Sequence, residues 1–271
     1  VKMTKKILIN VLALVVAISF IIPVLWLVLS AFKPGDELFD YPITLLPRTF
    51  TFENFIRVWN EMDFITYIKN TGFVTVTATI LTVAISTMCG YALAKYKYKW
   101  LNVVFVCLLA TTMLPTEVLM APSFEVILRL GLYNSLAGLI IPTLGTLTGV
   151  FMMRQFFITV PNELLEAARM DGANEFRIFT RLMVPLAVPV MAILTIFSFR
   201  WRWNDYIWPL IVIDDPSKYT LQLALRNLVG QMAIDWSTLL AASVISMMPI
   251  VIVFMIFQKY IMNGFMSSGL K

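Results

Sequence analysis

Histidine is absent from all 271 residues, and cysteine occurs only as Cys89 and Cys107. Without an imidazole there is no serine–histidine catalysis, no histidine-ligated metal and no haem held through histidine. The two cysteines form no C-x-x-C pair, so neither a disulfide framework nor a zinc site is indicated. Charge is scarce as well: 14% of residues are charged against 59% hydrophobic, with a mean hydropathy of +0.83. That leaves too little polar surface to cover a water-soluble globule. A lipid bilayer is the expected solvent.

About 20 helical residues cross a hydrocarbon core of about 30 Å. Uncharged runs of that order cover Ile7 to Phe32 and Gly72 to Leu93. A third begins at Leu101 and is interrupted by Pro115, a fourth covers Leu136 to Met153, a fifth starts at Val184, and a sixth covers Leu239 to Phe257. The fifth is clean only to Phe199, where "RWRWND" intervenes before "YIWPLIVI" resumes. Six spans are expected, all α-helical, in a single membrane domain over residues 1–271. The first run follows a basic start, Lys2, Lys5 and Lys6, as a signal peptide does. It is too long for one and lacks a small-x-small cleavage site, so it reads as retained.

With six spans and the N-terminus inside, the inner segments are 1–6, 95–100, 154–184 and 259–271, holding 12 of the 21 basic residues in little chain. That density favours cytoplasmic termini and a cytoplasmic "KYKYKW" loop at Lys95 to Trp100. The net charge of +5 is then a topology signal. Lysines interleaved with aromatics also occur in single-strand binders, but nothing else here points to nucleic acid.

Against this apolar background, "ELLEAARMDGANEFRIFTRLMVP" at residues 163–185 concentrates charge on the inner side. Pro161 suits a first turn, and Glu163 and Glu166 suit the positive end of a helix dipole. The helix should stop at Gly172, which takes a left-handed backbone easily, and a second should start at Asn174 as N-cap. Leu164, Leu165 and Ala168 make a narrow apolar stripe, while Ala167 and Ala168 leave a low profile on which another chain can sit. Two readings stay open: a docking knob for a soluble partner, or a solvated hairpin in which Glu166 pairs only with Arg169.

The spacing E-A-A, three residues, G, nine residues, then an apolar pair ending in proline is met here by Glu166, Ala167, Ala168, Gly172, Leu182, Val184 and Pro185. It resembles the EAA loop of membrane subunits of ATP-binding-cassette importers. "TFENFIRVWN", "GYALAKYKYK", "MLPTEVLMAP", "LGLYNSLAGLIIP", "WNDYIWPL" and "QKYIMNGFMSSGLK" extend the likeness to the carbohydrate-uptake branch, particularly the maltose-type second permease subunit. The resemblance implies a type I importer permease fold with a coupling loop over about 155–184. It implies that Glu163, Glu166, Ala167, Ala168, Asp171 and Gly172 dock on an ATPase, with Glu166 against a basic residue there. It further implies a heterodimer with a second, homologous permease, two ATPase subunits, an extracytoplasmic solute-binding protein and a carbohydrate cargo. ATP and Mg would be used by those ATPases, this chain binding no cofactor and catalysing no chemistry; a polyol phosphate or a polyamine is the alternative cargo. In the C-terminal tail, about 259–271, Asn263, Gly264 and Lys271 would reach toward the ATPases; the tail lacks the G-K-[ST] run and preceding strand of a phosphate loop.

Three features concern the path through the membrane. Ala78, Thr82, Ser86, Gly90 and Ala94 recur every four residues, a stripe of small side chains that lets helices pack closely in lipid. Pro115, Pro122, Gly138, Pro142, Gly145 and Gly149 break the third and fourth runs, as simple kinks or where a watery path satisfies the backbone. Trp203, Asn204, Asp205 and Tyr206, with Glu117 at the outer mouth, offer aromatic faces and polar edges that fit an interfacial aromatic belt in the first place and a sugar in the second. An ion-coupled carrier normally carries ionisable groups within its spans. The clean runs hold none. Every Asp falls in an expected loop, which disfavours a carboxylate dyad.

Overall fold

The computed structural model describes residues 2–61, 63–229 and 234–268, the side chains of 2–4, 61 and 261–268 excepted. Among them the regular structure is entirely helical. In chain order it comprises α1 (Lys2–Ser30), α2 (Glu53–Glu61), α3 (Phe64–Lys95), α4 (Lys99–Thr111), α5 (Thr116–Arg129), α6 (Leu136–Ile140), α7 (Leu147–Thr159) and α8 (Glu163–Met170). The short α9 (Glu175–Arg177) runs through a π turn into α10 (Val184–Trp203), followed by α11 (Ile207–Val212), α12 (Leu221–Val229) and α13 (Trp236–Ser268). Four of these stretches are long and apolar enough to cross a membrane: α1, α3, Glu175–Trp203 and α13. Two further spans are broken: α4 and α5 meet at 109°, and α6 with its 3-10 extension meets α7 at 41°. Counting each bent pair once gives the six expected.

The breaks fall where the backbone demands them. Pro115 stands immediately before α5, and a residue preceding proline is pushed out of the helical region. Pro142 and Gly145 flank the second bend. In the fifth span the helix widens over Ile178–Met183 just before Pro185, whose missing N–H and bulky ring disfavour an ordinary α-turn. That span does not end at Phe199. It continues to Trp203, so Arg200 and Arg202 lie within a membrane-length helix, and "YIWPLIVI" forms only the short α11.

The chain clusters into two compact units, one formed by residues up to Ile65 with Ala224–Met248, the other by Thr66–Leu223 with the chain from Pro249 onward. In the first, buried Asn54 donates to the carbonyls of Ala31 (2.9 Å) and Lys33 (2.8 Å), tying α2 to the end of α1. Phe32 gathers Phe50, Phe52 and Phe55 around it. Arg57 meets Asp235 at 3.3 Å, and Asp235 accepts from the amides of Ser237 and Thr238, capping the start of α13.

In the second unit the small-residue stripe of α3 is buried as its spacing predicts. A Cβ placed on Gly90 would lie 2.5 Å from Met153 Cβ and 2.8 Å from the Arg154 amide nitrogen, so α3 and α7 touch nearly backbone to backbone. Gly149 of α7 faces Ser86 in the same way. Close approach of this kind substitutes for the hydrophobic drive that lipid does not supply.

Candidate functional site

The charged loop folds as helix, turn, helix. α8 ends at Met170, Gly172 takes φ +78°, and the Asn174 side chain accepts from the Arg177 amide at 2.8 Å. Each turn of α8 is divided between two duties. Leu165 is buried among Phe157, Val160, Ile178 and Met183, and Ala168 packs against the same cluster. Glu163, Leu164, Glu166, Ala167, Met170, Asp171 and Gly172 are exposed. The apolar stripe read from the sequence is therefore split: Leu165 and Ala168 anchor the helix, while Leu164 stands on the outer face beside Ala167.

Arg169 does not pair with Glu166. Its Nε donates to Glu175 Oε1 at 2.7 Å, across the Gly172 turn. Neither Glu166 nor Asp171 joins an ion pair among the described residues. With Glu163, which likewise joins no ion pair among the described residues, the loop presents three such carboxylates on a platform held from behind.

Part of that platform escaped the sequence reading. Lys95 at the end of α3 donates through Nζ to the Val160 carbonyl and, at 2.9 Å, to Asn162 Oδ1. Asn162, the N-cap of α8, consequently makes no side-chain cap bond. The Tyr96 hydroxyl donates to Glu175 Oε2 at 3.2 Å, while Tyr91 packs on Phe157, Phe179 and Tyr96. Burial, with the Glu175 carboxylate beside it, raises the Tyr96 phenol above its ordinary pKa, so it stays protonated and a donor at neutral pH. The alternating K-Y pattern signals a basic loop; its bracing role appears only in three dimensions.

At the other end of α10 lies a second polar cluster, around Arg202, which is 6% exposed. Its Nη2 donates to Thr82 Oγ1 at 2.7 Å and to the Thr143 carbonyl, and its Nη1 to Ser198 Oγ. Thr82 in turn donates to the Leu144 carbonyl at 3.1 Å. One guanidinium thereby joins α3, the bend between α6 and α7, and α10. Beside it is a cavity of about 20 Å³ walled by Thr75, Thr143, Asp205, Trp208 and Thr220. The Thr75 and Thr220 hydroxyls and Arg202 Nε find no partner among the described residues. This space suits about one water molecule and is far below the few hundred Å³ a sugar needs.

The residues expected along a substrate path separate accordingly. Trp203 is buried and stacks on Phe199 at 5.5 Å, and half-buried Asp205 accepts from the Trp208 amide at 3.4 Å. Trp208 is also buried, donating through Nε1 to the Gly138 carbonyl at 3.1 Å. These groups build a wall. Asn204 and Tyr206 are exposed, as is Glu117 in the first turn of α5. Glu125, on the same helix, pairs with Arg129. Of the tail residues, Lys271 lies outside the described residues, and Asn263 and Gly264 are described only as helical backbone of α13. No group of three or more metal-ligating side chains occurs among the described residues.

The family model described as "Binding-protein-dependent transport system inner membrane component" matches residues 83–265, which takes in both the loop and its brace. The chain is 36% identical over 259 residues to the arabinooligosaccharides transport system permease protein AraQ of Halalkalibacterium halodurans, covering 94% of this chain and 93% of that one. It is 31% identical over 247 residues to the sn-glycerol-3-phosphate transport system permease protein UgpE of Pectobacterium atrosepticum, covering 88% of each. Among solved structures, a chain of a bacterial ABC transporter involved in the import of the acidic polysaccharide alginate superposes with a TM-score of 0.84 at 26% identity, covering 94% of this chain and 95% of that one. A chain of a bacterial alginate ABC transporter in complex with alginate pentasaccharide-bound periplasmic protein superposes at 0.65 with 13% identity over 93% of each, a likeness of fold.

Proposed function

Because the chain belongs to the family of binding-protein-dependent transport system inner membrane components, we propose that it is a permease subunit of an ABC importer for an oligosaccharide, with α8 as the element that meets the ATPase. The observation that carries this is the two-sided α8: Leu165 locked in the core behind, Glu166 and Asp171 exposed and unpaired in front. A carboxylate on such a rigid mount suits a basic residue of a partner, and a hydrogen bond to a charged group contributes about 1.5–3 kcal/mol.

Movement of the ATPase subunits then reaches the spans along two routes. One passes through Leu165 into the cluster that includes Met153 on α7 and Ala187 on α10. The other passes through Asn162 and Glu175 to Lys95 and Tyr96 at the end of α3. Pulling α8 therefore displaces three helices together, which is what alternating access requires. The complete importer pairs this chain with a second, homologous permease and two ATPase subunits that bind ATP and Mg, and it receives cargo from an extracytoplasmic solute-binding protein. The termini and the α8 loop face the cytoplasm, in line with the density of lysine and arginine on that side.

Tagged chain purified in mild detergent, wild type beside Glu166→Ala, tests the docking. Mass spectrometry should find an ATPase and a second permease with the wild type and lose the ATPase from the variant. Wild type that comes down alone from an intact preparation defeats the reading. The glycerol-3-phosphate relative favours a second cargo class, a phosphorylated polyol. Screening the companion binding protein against neutral oligosaccharides and glycerol 3-phosphate separates the two.

A further inference from the structure

The connector between α3 and α4 carries more than the brace at Lys95 and Tyr96. The rings of Tyr96, Tyr98 and Trp100 form a ladder, with centroids 6.4 Å apart at 11° and then 6.5 Å apart at 23°. Lys97 and Lys99 alternate with these rings; both are exposed, and neither joins an ion pair among the described residues. Lys95 is turned toward Val160 and Asn162, so the outer two lysines are the ones left for something outside the chain.

The position of the ladder says what that is. α4 buries Leu101 and Phe105 against Leu93 and Val150, and leaves Val103, Val104 and Val106 exposed as a surface suited to acyl chains. That apolar surface begins directly beyond Trp100. Only three residues separate the end of α3 from the start of α4, a reach from Lys95 to Lys99 of at most about 14 Å, so the connector stays close to the ends of both helices. Tyrosine and tryptophan at such a boundary sit at headgroup level, where lysines meet lipid phosphate.

We propose that Lys97 and Lys99, framed by Tyr98 and Trp100, form a docking surface for anionic phospholipid headgroups. The ammonium groups meet the phosphates, and the rings lie where the acyl chains begin. The cation pair selects an anionic over a zwitterionic headgroup, each lysine near a charged leaflet contributing about a fivefold preference. This rests on the chain's membrane location alone, so it stands or falls separately from the importer reading.

The test uses the purified full-length chain, with whatever subunits accompany it, in nanodiscs of phosphatidylcholine, doped equally with brominated phosphatidylglycerol or brominated phosphatidylcholine. Tryptophan quenching in the wild type, less that in Trp100→Phe, isolates Trp100. Brominated phosphatidylglycerol should quench Trp100 several-fold more strongly, and the difference should collapse in the Lys97→Gln, Lys99→Gln double variant. Native mass spectrometry of wild type and the lysine variant, counting retained phosphatidylglycerol, gives the same comparison without altering Trp100. Equal quenching by the two lipids in the wild type, or a preference that survives loss of both lysines, overturns the proposal. So does a Trp100 that neither lipid quenches but that cross-links to the ATPase, which would make this surface a protein contact.

Discussion

At the α8 loop the carboxylates of Glu166 and Asp171 stand exposed and join no ion pair among the described residues, whereas at the far end of α10 the guanidinium of Arg202 is buried and bonded to two neighbouring segments and to its own helix. Both regions set charge into a chain that has little of it. The loop keeps its anchoring apolar and turns its charge outward, so removing that charge should leave the fold alone and, on the proposed docking, change only what the loop can hold. The Arg202 cluster does the reverse, spending every donor but Nε on its own backbone and hydroxyls. Stability and transport should therefore respond in opposite order to substitutions at the two ends.

Arg202→Met should give the largest loss of stability. It leaves the Thr143 carbonyl and the Thr82 and Ser198 hydroxyls without their donor in a water-poor interior, and a bond to a charged group is worth about 1.5–3 kcal/mol. A loss of about 3 kcal/mol or more is expected, read as a lowered melting temperature of the purified complex. Arg202→Lys should fall between, because a single ammonium cannot bridge three segments as a planar fork does. A methionine variant that melts like wild type would break the contrast.

Gly172→Val comes next. Nothing lies within 4 Å of a Cβ added there, so crowding is not the difficulty. The strain is in the backbone, since φ +78° is left-handed and costs a β-branched residue about 1–2 kcal/mol. A melt lowered only by that amount, with uptake lost because the turn no longer aims α8, is the expected result. Uptake at the wild-type rate would show that the shape of the turn is immaterial.

How much of this was legible in the sequence differs between the two ends for physical reasons. The α8 loop is local: a proline, two acids, a glycine and an N-cap asparagine fall within one short stretch, and each acts on its own neighbours. Its left-handed turn and its second helix could be read directly, whereas its first turn begins at Glu163 behind an Asn162 N-cap, with Pro161 just ahead of the helix and not within it. The direction in which Leu164 points could not, because the face of a short helix is chosen by the cluster behind it, here Phe157, Ile178 and Met183. The Arg202 cluster is non-local. Thr82, Thr143 and Arg202 are far apart in the chain, and "RWRWND" gave the appearance of a span ending at Phe199. Arginines at the edge of an apolar run look like the limit of the membrane. The one signal pointing the other way was the small-residue stripe through Ala78, Thr82 and Ser86, which marked the face of α3 that another helix must approach.

Between the two extremes lies the brace. Glu175→Gln weakens the ion pair with Arg169, both side chains being 46% exposed, and solvent screening leaves such a surface pair with little effect on stability. The melt should move little. The sharper readout is coupling: with Glu175→Gln or Tyr96→Phe the assembled transporter should still hydrolyse ATP while moving less cargo per ATP. Reversing the pair as Arg169→Glu with Glu175→Arg should restore part of that ratio if the contact acts by holding α8 to α9. An unchanged ratio in the single variants would assign transmission to Leu165 and its cluster alone.

Glu166→Ala should have the smallest effect on the fold and the most informative one on transport. The side chain is exposed and takes no part in an ion pair among the described residues, and alanine is a better helix former, so the stability change should lie within about 0.5 kcal/mol. If uptake nevertheless disappears while the melt is unchanged, the carboxylate acts only through a partner, because no described side chain pairs with it. Glu166→Gln refines the point: a partial return of uptake would mean that hydrogen-bonding shape contributes to docking, and none that the negative charge itself is read by the ATPase. Should Glu166→Ala lower the melt as far as Arg202→Met, the carboxylate would be structural, and the distinction between a charge held for a partner and a charge held for the fold would fail at the residue on which it most depends.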